Sequence, residues 1–224
     1  MHSLFTPVDT LDTTTYLYSA NHSNGSFDLE WLMPVTGLSD NGHSVTPPGF
    51  DSSYGLYLTI TASGLNNPSP GVLETFNTMN VTLWADPKND AGTPNSNLDG
   101  ISFSGPTSND IVLATGTLVS GTLSVDSAEV RMATYVESLT PTLDGTQLLN
   151  GSIKQGDQLT ENFVTQPGEF RLTPNTDGSS IVNVNGGAAT VTLSKPNGHP
   201  ATIQIPNDAL QLPRLSFLHH HGRY

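Results

Sequence analysis

Cysteine is absent from this chain of 224 residues, and Lys and Arg together number only seven. The first absence excludes disulfides, thiol catalysis and thiolate-bound metals. The second stands against 20 Asp and Glu, for a net charge of −13. That balance excludes the basic face on which nucleic acid or an anionic membrane surface depends. No apolar run approaches the ~20 residues of a membrane-spanning helix. The opening residues, Met1-His2-Ser3-Leu4-Phe5-Thr6-Pro7, have neither a basic start nor an apolar stretch, so no signal peptide is visible. Convincing helical periodicity is missing from every window longer than about two turns. Charged residues make up 12% and hydrophobic ones 35%, both below the usual globular share. Thr, Ser, Asn and Gly fill the difference, a blend suited to strands with hydroxyl- and amide-rich outer faces. An acidic, cysteine-free β protein with few lysines is expected outside the cell or at its surface, with its export signal removed or its export by another route.

What is present is period-two alternation. Across 54–63, Leu56, Leu58, Ile60 and Ala62 alternate with Tyr57, Thr59, Thr61 and Ser63, which predicts a strand with one buried face. Similar alternation predicts strands at 14–20, at 26–33 (with Phe27, Leu29, Trp31 and Met33 on one face), at 72–86, and at 111–115, 117–125, 130–136 and 147–149. The C-terminal quarter reads as a meander, with strands at 169–173, 180–184, 189–193 and 201–205. Eight Asn-Gly or Asp-Gly pairs punctuate the chain, and both residues of such a pair tolerate the positive φ of a tight turn. Asp144-Gly145 and Asn185-Gly186-Gly187 are read as turns on this ground. Residues 34–53 and 87–109 read as long surface loops, and 150–166 as a short helix or a loop. The expected fold is all-β: an antiparallel two-sheet β-sandwich, jelly-roll or Ig-like, over 14–209. An arm of 1–13 precedes it and a flexible, His-rich tail of 210–224 follows. A sub-boundary near 150–168 is the alternative to a single domain.

Few residues have the spacing of a reactive site. Asp86, Asn89 and Asp90 place two carboxylates and an amide in a loop straight after a strand, the oxygen-rich setting that Ca²⁺ favours. Lys88 breaks the EF-hand pattern, and a polar turn ending a strand is the plainer reading. No other cofactor is indicated. Trp84 lies among polar neighbours, and with Tyr57 it is the candidate platform for stacking on a sugar ring; burial beneath a loop or a second sheet is the alternative. Asp28 and Glu30 share a strand face at a spacing a glycosidase tolerates, but solvated charges on a half-buried strand explain them as well. His219, His220 and His221 on a loose tail lack the supporting contacts of a metal centre. No nucleophile elbow, phosphate loop or His-Glu-x-x-His occurs, and no catalytic residue is assigned.

One resemblance goes further. The succession Phe27-Asp28-Leu29-Glu30-Trp31, Tyr54-Gly55-Leu56-Tyr57 with Ala62-Ser63-Gly64, Leu83-Trp84-Ala85-Asp86-Pro87, and Asp110 to Gly116 resembles the flocculation-associated PEP-CTERM proteins of bacteria over about residues 14–125. It implies a secreted, non-enzymatic β protein associated with extracellular polymer and cell aggregation. No Pro-Glu-Pro, apolar helix or Arg cluster follows the domain, so the family's sorting and anchoring do not carry over. The expected function is that of a biofilm-matrix, aggregation or adhesion component, with polysaccharide or further copies of itself as partners. A carbohydrate-binding module, stabilised by Ca²⁺, is the second expectation, and a glycan-active enzyme using Asp28 and Glu30 the third.

Overall fold

The computed structural model describes residues 5–65, 74–87, 89, 94–97, 100–103, 106–125, 130–149, 151–164 and 169–207. The expectation of a flexible tail over 210–224 lies outside these residues, as do those for Lys88 and Asp90. In chain order the elements are β1 (Phe5–Val8), β2 (Thr10–Asn21), β3 (Ser26–Asp40), β4 (His43–Val45), β5 (Gly55–Leu65), β6 (Glu74–Asp86), β7 (Pro94–Asn97) and β8 (Gly100–Phe103). There follow β9 (Ile111–Ser120), β10 (Thr122–Val125), β11 (Val130–Pro141), α1 (Leu143–Leu148), β12 (Gln158–Val164), β13 (Glu169–Pro174), β14 (Ser180–Ser194) and β15 (Ile203–Pro206).

Every pairing among these strands is antiparallel, as the alternation predicts. The expected two-sheet sandwich is not what they build. Strands β2, β3, β5, β6, β9, β11, β12 and β14 pair each with the next, and β14 pairs back onto β2. The sheet thus closes into an eight-stranded barrel, a meander with no free edge along its wall. Closure demands strong coiling, and the register shifts supply it. They fall between Asp12 and Thr13, Ser63 and Gly64, Leu83 and Trp84, Met132 and Tyr135, Val136 and Glu137, and Asn185 and Gly187. Each extra residue bends its strand and raises the local twist.

The last of these shifts corrects two sequence expectations at once. Asn185-Gly186-Gly187 is a bulge inside one 15-residue strand, not a turn between two. Gly186 takes φ +79°, which L-residues rarely adopt, and lets β14 bend while remaining paired with β2. On its other edge β14 exchanges β12 for β13 at the same place. Asp144-Gly145 is likewise no turn, and 147–149 is no strand, because α1 occupies this stretch. Thr142 Oγ1 accepts the Gly145 backbone N–H at 2.8 Å, a helix N-cap. Gly145 lies directly on the Leu113 backbone, where a Cβ would overlap it. Residues 5–8, expected within an arm, pair with β15, and β12 crosses the suggested boundary near 150–168 as a stave of the wall.

Inward positions form one continuous core. It includes Leu11 and Leu17 on β2, Phe27, Leu29, Trp31 and Met33 on β3, and Leu58 and Ile60 on β5. Val81 and Leu83 on β6, Leu113 on β9, Leu159 on β12, and Val182, Val184 and Val191 on β14 complete it. Eight strands leave an interior just wide enough for such side chains to fill. Val8, Leu149, Ile203 and Ile205 join this core from β1, β15 and the residue after α1. Over 26–30 of β3, 59–63 of β5 and 78–82 of β6 the outward residues are Thr, Ser, Asn, Asp and Glu. A wall facing lipid carries the reverse pattern, with an apolar outer band.

Candidate functional site

Pairing aligns the outward residues of β3, β5, β6 and β9 into rows across four strands. One row runs Glu30, Thr61, Asn80, Thr117, and all four side chains are exposed. Beside it run Asp28, Ser63 and Thr78 on one flank, and Leu32, Thr59, Thr82 and Thr115 on the other. Neighbouring strands stand ~4.8 Å apart, so the wall displays hydroxyls and amides at a regular interval on a backbone that cannot shift. Leu32 is fully buried despite pointing outward. The β7–β8 hairpin lies against β2 and β3 and covers this end of the wall.

The next row is apolar: Pro34, Tyr57, Trp84, Val112. Tyr57 and Trp84 stack on each other, with centroids 5.9 Å apart and planes 9° from parallel. Tyr57 is 2% exposed, so its ring backs Trp84 and is turned away from solvent; Trp84 is half-buried. The Trp84 indole N–H donates to Thr59 Oγ1 at 2.9 Å. The Tyr57 hydroxyl donates to Asp110 Oδ2 at 2.6 Å, and the same oxygen accepts the Thr107 backbone N–H at 2.7 Å. Burial, then the Asp110 bond and the charges of Asp110 and Asp86, push the Tyr57 phenol far above its ordinary value. It is a hydrogen-bond donor and a strut, not a proton-transfer group.

At the end of this row a pocket of about 160 Å³ opens between the loop before β5 and the end of β6. Tyr57, Asp86, Asn89, Asp51 and Thr36 line it. The fold therefore brings together Tyr57, Asp86 and Asn89, which the sequence proposed separately, and adds Asp51, which it did not. Asp86 is 1% exposed, with its side chain on the outward side of β6 beside Gly55. Asn89 takes φ +52°, donates its backbone N–H to Asp86 O at 3.2 Å and its Nδ2 to Asp51 O at 3.1 Å. Its amide so ties the turn after β6 to the loop before β5. Gly55 is needed beneath it, since a Cβ there would stand 2.5 Å from Asn89 Oδ1. Among the described residues no group of three or more His, Asp or Glu has metal-holding geometry. The pocket is smaller than the ~300 Å³ lower bound of drug-sized sites.

Asp28 and Glu30 are exposed on the outer wall, while Trp31 points into the core, so the carboxylates and the indole occupy opposite faces. Asp28 faces the loop before β3, where its Oδ2 lies 2.9 Å from His22 Nε2.

Two acidic residues that the sequence reading passed over point inward. Glu137 on β11 and Glu161 on β12 are both 0% exposed. Glu137 pairs with Leu159 and Glu161 with Tyr135, so the two carboxyls are diagonal neighbours on one inner face. Burial raises the Glu137 carboxyl to about 8. Parity could have found them: Glu137 shares it with Leu139, and Glu161 with Leu159 and Phe163.

No protein-family model, curated protein or solved structure matches this chain.

Proposed function

We propose that this protein is a non-enzymatic barrel module of the cell exterior, a matrix, aggregation or adhesion component that engages polysaccharide through its outer wall. The observation that carries this reading is the exposed cross-strand row Glu30, Thr61, Asn80 and Thr117 with its flanking Thr and Ser rows. Hydroxyl and amide side chains both donate and accept, which matches the hydroxyl lattice of a glycan chain. A rigid sheet presents them without the ordering cost of a loop. The net charge of −13 selects against polyanionic polymers and in favour of neutral ones. The filled interior supports the same reading, since it leaves the outer surface as the place for recognition. So does the likeness of residues 14–125 to secreted flocculation-associated proteins.

Affinity electrophoresis through neutral and anionic exopolysaccharides tests it. Retardation by a neutral polymer, weakened when Asn80 and Thr117 are both changed to Ala, is the expected result. Absence of retardation, together with a monomer at high concentration by light scattering, overturns it.

Trp84 favours a second reading, a carbohydrate-binding module centred on the aromatic row. The half-buried indole, fixed from behind by Tyr57 and by its bond to Thr59, is a pre-set platform beside the small pocket. Loss of glycan binding in Trp84→Ala, with Asn80→Ala/Thr117→Ala still binding, would select it over the first.

A further inference from the structure

Glu137 stands where the barrel wall is least regular. On one side β11 pairs with β9, and the register shifts between Val136 and Glu137, leaving Val119 as the extra residue, 53% exposed. On the other side β11 pairs with β12, and the register shifts between Met132 and Tyr135. Interrupted ladders open at lower free energy than continuous ones. The carboxyl is wedged beside Gly116 of β9, where a Cβ would lie 3.3 Å from Glu137 Oε2 and 3.1 Å from Val81 Cβ. Neither Glu137 oxygen has a hydrogen-bond partner among the described residues.

Among the described residues no counter-charge faces Glu137 from the inner surface. Strands β9, β10 and β14 contain no ionisable residue. On β6 the only ones, Glu74 and Asp86, are its first and last residues. On β3 Asp28 and Glu30 lie off the inner face and Asp40 is the last residue of the strand, while Asp12, Tyr16 and Tyr18 on β2 and Tyr57 on β5 also lie off that face. The Lys and Arg among the described residues with described side chains, Arg131, Lys154, Arg171 and Lys195, are all exposed. Among the described side chains, the ionisable group diagonal to Glu137 on the inner surface is Glu161, a second acid. An ionised Glu137 thus loses its hydration, a cost that the neutral carboxyl does not meet.

We propose that Glu137 is a proton-controlled latch on the β9–β11–β12 seam: the barrel is tight here while the carboxyl is protonated and opens locally when it ionises. Burial places that transition near neutral to mildly alkaline pH. Opening exposes the pairing edges of β9 and β11, a template for strand exchange with another chain.

Amide hydrogen exchange, corrected for its intrinsic pH dependence, tests the latch. In the wild type, protection of Gly116, Leu118 and Leu139 falls about a hundredfold from pH 6 to pH 9 relative to Leu17 and Leu29 of β2 and β3, and in Glu137→Gln it does not. An equal fall in both proteins, or none in the wild type, overturns the proposal. Because Glu137→Gln must itself fold to be read, the Glu137 side-chain carbonyl is also titrated by ¹³C NMR in the wild type. A midpoint above pH 7 supports the latch, and a midpoint in the ordinary carboxylate range refutes it.

Discussion

Asp86 and Glu137 are both almost wholly buried carboxyl groups on neighbouring parts of one barrel, yet they do different work. Asp86 is the last residue of its strand, outward-facing, beside Tyr57, the turn at Asn89 and an open pocket. Glu137 lies within its strand, inward-facing, across Gly116 from Val81, with no hydrogen-bond partner among the described residues. One stands at the lining of an open pocket; the other is enclosed by the core. Both side chains end in a carboxyl group and both are buried. Parity on the strand, and distance from the strand's end, make the difference.

The largest test of that contrast is thermodynamic. An unfolded glutamate titrates near 4.3, while folding lifts Glu137 to about 8. Between those values the folded state binds the extra proton, so its stability falls as pH rises through this window and levels off above it. Glu137→Gln removes the slope. At pH 9 we expect it to be more stable than the wild type by about 3 kcal/mol in urea unfolding, and at pH 5 to lie within about 1 kcal/mol of it. A parallel pair of pH profiles would erase the distinction drawn between the two carboxyls.

Gly116→Val comes next. It fills the space that the Glu137 carboxyl and Val81 already share, and overpacking of this kind costs about 2 kcal/mol. Combining it with Glu137→Ala should recover part of the loss, and failure to recover any would show that Gly116 does not serve the carboxyl. On the outer side the effects are smaller. Tyr57→Phe removes the bond to Asp110, which keeps Thr107 as a donor, and should cost about 1 kcal/mol while leaving the stack on Trp84 intact by fluorescence. Asn89→Ala gives up one side-chain bond and puts Ala at positive φ, for about 1 kcal/mol or less; Asn89→Gly should be milder still. If Asn89→Ala proved costlier than Gly116→Val, the pocket and not the interior would be the organising centre of the fold.

Much of the candidate site could be read in advance, because it rests on local features. Tyr57, Trp84 and Asp86 sit on strands whose alternation is plain, and Asn89 is in the turn that follows. Asp51 and Asp110 were not legible as partners: one lies 35 positions before Asp86 and the other 24 after it, and only pairing of β5 with β6 and of β6 with β9 brings them to the same row. Glu137 was missed for a different reason. The alternating run was ended at Val136, one residue short, where the register shift disturbs the pattern.

Alternation by itself determined that the chain is built of antiparallel strands, which side of most of them is buried, and that Thr, Ser and Asn make up the outer surface. Those properties are set residue by residue, through the two-sided geometry of an extended backbone. A sandwich and a barrel both require one buried face per strand, so the same pattern fits either. The choice was made by the pairing of β14 with β2, some 170 residues apart in the chain, and by bulges that curve the wall far enough for those strands to meet. Closure also decided what the inner face would hold. Once the wall joined, the Glu137 side chain had no route to solvent, and an ordinary acid became a carboxyl that burial holds above its usual range.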